Sequence, residues 1–143
     1  MSHDLISVLY RSVAKLKEHT HAETELLLNA RTKNQLLGIT GFLHREEDLF
    51  FQVLEGPRET IDAVIERIAL DTRHEKLEFL DRRSILTRAF EAWSMGYSNS
   101  GDGSLFDWSS QNGIPLNGRD HEGVLSFLQL RSMALNTGSS TAT

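Results

Sequence analysis

Tyr10, Asn34 and Gln52 are the residues whose types could do more than pack. Gln52 stands in LFFQVL, an otherwise apolar run from Leu49 to Leu54. A buried amide left unsatisfied costs roughly 1 to 3 kcal/mol, so this glutamine needs a partner. A phenol and a second amide can each donate and accept. Gathered in an apolar pocket, the three suit a flat heteroaromatic ligand with hydrogen-bonding edges. Leu26 and Ile68 would sandwich such a ring, and Arg67 and Arg73 on the rim could meet a ligand's phosphates. Each residue also has a plain reading: Tyr10 as a strand-end tyrosine, Gln52 as a satisfied core amide, Asn34 as a helix C-cap, and Leu26 and Ile68 as core. Arg67, Asp71 and Arg73 would then be a solvated helix end.

The elements that must position these groups can be taken in chain order. Leu5 to Tyr10 reads as a strand with Ile6, Val8 and Tyr10 on one face. Thr20 with Glu23 three residues later is a capping box that opens a helix to about Lys33. Leu26, Ala30 and Asn34, four apart, share one stripe. Gly38 to His44 and Leu49 to Leu54 read as a hairpin turning through Arg45, Glu46, Glu47 and Asp48. Gly56-Pro57 starts a second helix, with Ile61, Val64, Ile65 and Ile68 at amphipathic spacing. Leu77 to Leu86 is a further strand, and Ala92 to Tyr97 another, in which Trp93, Met95 and Tyr97 share a face. A loop from Ser98 to Ser104 precedes two short helices, the second from Glu122 to Leu135. The last residues read as a frayed tail.

Strand, helix, strand, strand, helix, strand is the split βαβ order, an α+β arrangement with two helices on one face of a mixed sheet. The first and third strands are expected as parallel neighbours at its centre. Residues 1–98 are expected as the sheet domain, 99–136 as a C-terminal helical extension and 137–143 as a disordered tail.

At 143 residues the chain is one domain in size, and without cysteine it has no disulfide, thiolate metal site or cysteine nucleophile. The start, MSHDLISVLY, lacks signal-peptide character. No segment reaches the roughly 18 apolar residues of a membrane span. A soluble cytoplasmic protein is expected, with no membrane partner. Net charge is -5 with scattered cations, which argues against direct nucleic-acid binding. His19 and His21 have no third ligand at helical spacing, so no metal is expected.

Five pieces resemble one family in order and spacing, together covering about Leu5 to Ser98. They are Tyr10-Arg11-Ser12, Asn34 through Gly41, Phe51 to Gly56, Asp71 to His74, and Trp93 to Gly96. The family is the BLUF domains, blue-light receptors that use FAD. The resemblance implies a ferredoxin-like βαββαβ sheet with an additional strand, the flavin ring lying between its two helices. It implies that Tyr10 gives an electron and a proton to the photoexcited flavin, and that the hydrogen bonds of Gln52 rearrange as a result. Asn34 would fix the polar edge of the ring, and Leu26 and Ile68 would flank it. Trp93 and Met95 resemble the pair that competes for the space beside the glutamine. Arg67, Asp71 and Arg73 would meet the ribityl and phosphate end. Lys33, where members commonly carry histidine, arginine or asparagine, belongs to that edge.

FAD is implied, with FMN as the alternative. No match to an output enzyme follows Ser98, so the chain resembles a short stand-alone sensor, not an enzyme, that signals through an unidentified downstream protein and is expected to homo-oligomerise. Two other readings remain: a small flavin-dependent oxidoreductase, and a cofactor-free ferredoxin-like interaction protein.

Overall fold

The apolar, β-branched run that begins at Leu5 continues as strand β1, Leu5–Ala14. The computed structural model describes residues 4–91, 93–113 and 121–139 of the chain. Helix α1, His21–Leu37, starts at Thr20, whose side chain accepts the Glu23 N–H. It ends four residues beyond Lys33, where Gly38 takes a left-handed φ of 70°. There the N–H groups of Gly38 and Ile39 both bond to the Asn34 carbonyl. Strands β2, Thr40–Glu46, and β3, Leu49–Pro57, form the hairpin. Helix α2 is Arg58–Leu70, β4 is His74–Ile85 and β5 is Gly96–Asn99. Helices α3, Leu105–Gln111, and α4, His121–Ser139, follow.

The strand order is β4-β1-β3-β2-β5. Only β2 and β5 pair in parallel; β1 is antiparallel to both β3 and β4. The expected parallel relation of β1 and β3 is therefore corrected. Helix α1 returns the chain so that β2 runs with β1, and the hairpin turns β3 back against β2 into the gap between them.

Three further expectations change. Arg45 and Glu46 belong to β2 and are buried, leaving Glu47 and Asp48 as the turn. The Arg45 guanidinium bonds to Glu23 at 3.0 Å, to the Leu16 carbonyl at 2.8 Å and to the Glu47 carbonyl at 2.7 Å. These bonds tie the hairpin to the start of α1. The last strand begins at Gly96, so Trp93 and Met95 precede it and do not share a face; Ala92 lies outside the described residues. Of the expected tail, α4 takes residues up to Ser139, and 140–143 lie outside the described residues.

Each sheet face carries its own core. Ile6, Val8, Tyr10, Phe50, Leu54 and Met95 pack beneath α1 and α2. Leu9, Phe42, Phe51 and Val53 pack on the opposite face against Leu105, Val124, Phe127 and Leu128 of the C-terminal helices. Those helices therefore cover the second sheet face. Glu55, buried on that face, accepts the N–H groups of Ala89 and Phe90, anchoring the link from β4 to β5.

Gly41 is where β2 needs a missing side chain, because a Cβ there would lie 2.2 Å from the Val53 carbonyl oxygen. Backbone cannot yield as a side chain does. Gly41→Ala should lose at least the roughly 3 kcal/mol at the upper end of usual overpacking costs, read as a lower denaturant midpoint.

Candidate binding site between the two helices

Tyr10 and Gln52 face each other directly in the β1–β3 ladder. Such pairs hold their Cβ atoms about 5 Å apart. The Tyr10 hydroxyl donates a hydrogen bond to Gln52 Oε1. Gln52 Nε2 donates to Met95 Sδ at 3.2 Å, and a thioether is a weak acceptor. The second N–H of that amide has no partner among the described residues. Gln52 is thus held firmly at its oxygen and loosely at its nitrogen, in a buried position.

Asn34 is buried in the last turn of α1, and its Nδ2 donates to the Ser94 carbonyl at 2.8 Å. Its Oδ1 has no partner among the described residues. One turn earlier Arg31 donates from Nε to the Met95 carbonyl at 2.8 Å, and the Gly41 N–H donates to the Trp93 carbonyl at 2.9 Å. The segment that carries Met95 into the site is held at three consecutive carbonyls.

A cavity of about 530 Å³ opens between α1 and α2. Tyr10, Gln52 and Asn34 line it together with Leu26 and Ile68. Lys33, Arg67, Asp71 and Arg73 line it as well, but their charges are not equivalent. Lys33 and Arg67 are exposed and form no ion pair among the described residues. Arg73 is clamped to Asp71 at 2.6 Å. That guanidinium bond holds the Asp71 carboxyl below its usual range and raises Arg73 in return. The Arg73 charge is largely matched inside the protein.

Met95 is the residue turned in toward Gln52. Trp93 does not line the cavity: it packs on the opposite sheet face, edge-on to Phe42 with ring centroids 6.2 Å apart. The expected pairing of Trp93 and Met95 on one face fails because the chain there is not yet extended. Sequence reasoning missed His74, which also lines the cavity. Its Nε2 lies 2.7 Å from the Ile68 carbonyl and its Nδ1 2.7 Å from Ser12 Oγ. A carbonyl only accepts, so Nε2 carries a proton and donates to Ile68, while Nδ1 and the serine hydroxyl share the second bond. The His74 ring lies 6.4 Å from that of Tyr10 and fixes one side of the phenol. Its place in the Asp71 to His74 stretch was the available signal.

These groups fit a flavin. The volume lies in the range of small-ligand sites, the walls are aliphatic, and two buried amides each keep an unused polar group. Tyr10 is kept neutral: burial, with the Asp71 carboxylate adding to it, pushes its pKa up.

Comparison with known proteins agrees. The BLUF family, described as sensors of blue light using FAD, matches residues 5–96. The chain belongs to this family of blue-light photoreceptors, whose domain binds flavin. Residues of the chain are 31% identical over 90 positions to the photoactivated adenylate cyclase subunit alpha of Euglena gracilis, covering 62% of this chain and 9% of that protein. The chain spans less than a tenth of the length of the curated relatives it matches. The dark-state structure of the BLUF protein BlrB superposes with a TM-score of 0.79 at 26% identity, over 94% of this chain and 99% of that one. Ground-state BlsA gives 0.75 at 28% identity, over 87% of each chain. Among the described residues no helix is long and apolar enough to cross a membrane, and no three His, Cys, Asp or Glu could hold a metal ion.

The chain has two tyrosines, and both are raised by burial, Tyr10 with help from Asp71 and Tyr97 with help from Glu23. A raised folded pKa means stability that is whole below the unfolded value of about 10 and is lost as pH rises through the folded one. Alkaline titration should therefore show no phenolate absorbance near pH 10 while the protein is folded. Its appearance should coincide with loss of the circular dichroism of the fold.

Proposed function

We propose that this chain holds a flavin between α1 and α2 and converts blue light into a change in the hydrogen bonds of Gln52. The observation that carries the reading is the Gln52 amide, suspended at the cavity floor between the Tyr10 hydroxyl and the Met95 thioether. Leu26 and Ile68 flank the ring and Asn34 meets its polar edge. Lys33 and Arg67, without an ion pair among the described residues, would meet a phosphate, while Asp71 and Arg73 shape the mouth through their mutual pair. The family description supports FAD; FMN presents the same ring, ribityl chain and first phosphate to these residues.

A bound flavin supplies blue-light absorption and, once excited, a strong one-electron oxidant. Tyr10 is a buried, neutral and oxidisable phenol whose proton already points at Gln52 Oε1. On losing an electron to the excited ring that phenol would pass its proton along the existing bond to the amide, and return of the electron and a proton would restore the phenol. Gln52 can then exchange its donor and acceptor ends, by rotation or by tautomerisation. The weaker of its two bonds, to Met95 Sδ, is the one released. Trp93, on the far side of the sheet, takes part through the backbone it shares with Met95.

The chain is a sensor that turns over no substrate. It signals to a downstream protein from the cytoplasm, as a homo-oligomer, with residues 1–98 as sensory core, 99–136 as the helical extension through which the signal leaves and 137–143 as its tail.

Gln52→Leu should bind flavin yet lose the light-induced red shift of its absorption; a normal shift would remove Gln52 from the mechanism. Tyr10→Phe should keep the fold and abolish the photocycle. Normal cycling in that variant would require another donor.

A further inference from the structure

Strand β5 is short and lies at the sheet edge, paired only with β2 over Phe42 to Arg45. Its side chains reach both faces. On the helix α1 side, the Tyr97 hydroxyl donates to Glu23 at 3.1 Å. On the other side, Ser98 Oγ lies 2.7 Å from His44 Nδ1. His44 and Ser98 are both fully buried.

His44 continues the connection. Its Nε2 lies 2.8 Å from Glu46 Oε1, and the same oxygen accepts the Leu105 N–H at 2.9 Å, while Glu46 Oε2 accepts from Ser104 Oγ. The His44 ring also packs edge-on against Phe127 of α4, centroids 4.7 Å apart. Directions in this chain are fixed. Glu46 has only acceptors to offer, so His44 Nε2 carries the proton and Nδ1 accepts from Ser98. Burial pushes the His44 pKa down, against the pull of Glu46 and Asp102 and with that of Arg131. Burial pushes Glu46 up, but its bonds from Ser104, His44 and Leu105 together bring it below the ordinary range. A neutral imidazole and a carboxylate thus join β5, β2 and the first turn of α3 in one buried run of bonds, which low dielectric strengthens.

We propose that His44 and Glu46 are positioning residues that pass a displacement of β5 to helices α3 and α4. Met95, released by Gln52, stands one residue before β5, and Ser98 follows three residues later. Movement of the strand changes the Ser98–His44 bond first, and His44 carries the change to the Glu46 cap on α3 and to Phe127 on α4. This inference rests on the photoreceptor reading above and gives its signal a route through named atoms.

The test is hydrogen exchange of the flavin-loaded protein in darkness and under blue light, with absorption recorded on the same samples. Two variants are compared with the wild type. His44→Phe keeps a ring against Phe127 but loses both polar bonds; Ser98→Ala removes only the bond from β5 and leaves Glu46 satisfied. Both should retain the full red shift, and residues 96–99 should still respond to light. The light-dependent change over 105–111 and 121–134 should fall to the dark level. A response of α3 and α4 in both variants equal to that of the wild type would overturn the proposal, as would a wild type whose α3 and α4 ignore light. A wild type without any red shift would instead defeat the photoreceptor reading itself.

Discussion

The hydrogen bond from Tyr10 to Gln52 is the interaction on which the rest depends, because it places an amide where it can be satisfied in more than one way. Its oxygen has a good donor and its nitrogen a poor acceptor. A fully satisfied buried amide would be locked, and an unsatisfied one would cost roughly 1 to 3 kcal/mol. The intermediate state suits a switch. Small changes at the phenol can tip the amide without unfolding anything around it.

The architecture serves that pair. Antiparallel neighbours at the sheet centre set Tyr10 opposite Gln52 without adjustable loops. Helix α1 supplies both a cavity wall and two side chains, Arg31 and Asn34, that grip the segment bearing Met95. The sheet then separates two cores, one around the cavity and one under the C-terminal helices. Strand β5 bonds through its side chains to both sides, the contact on which the proposed route from the cavity to the C-terminal helices rests.

Much of this was legible in the sequence, for local reasons. Gln52 announced itself as an amide in an apolar strand, and the Leu26, Ala30, Asn34 stripe follows from helical spacing. What depended on distant pairing was harder. The relative direction of β1 and β3 comes from the whole chain path, not from either strand. Trp93 and Met95 share a face in a written strand, but Gly41 and Arg31 hold their carbonyls before the strand begins, and the two side chains part to opposite faces. The ion pair of Arg73 with Asp71, two residues away, was not readable from the sequence either. His74 was hidden because its role arises from Ser12, Ile68 and Tyr10, three contacts from three elements.

The central claim is that the Gln52 side chain changes its bonding when the flavin absorbs light, and infrared difference spectroscopy with isotope-labelled glutamine addresses it most directly. The other glutamines, Gln35, Gln111 and Gln129, are exposed, so Gln52 is the one buried in the photoactive region. The account predicts a light-minus-dark amide side-chain band that moves with the label and decays as the absorption shift recovers. A full absorption shift with no label-sensitive band would contradict it.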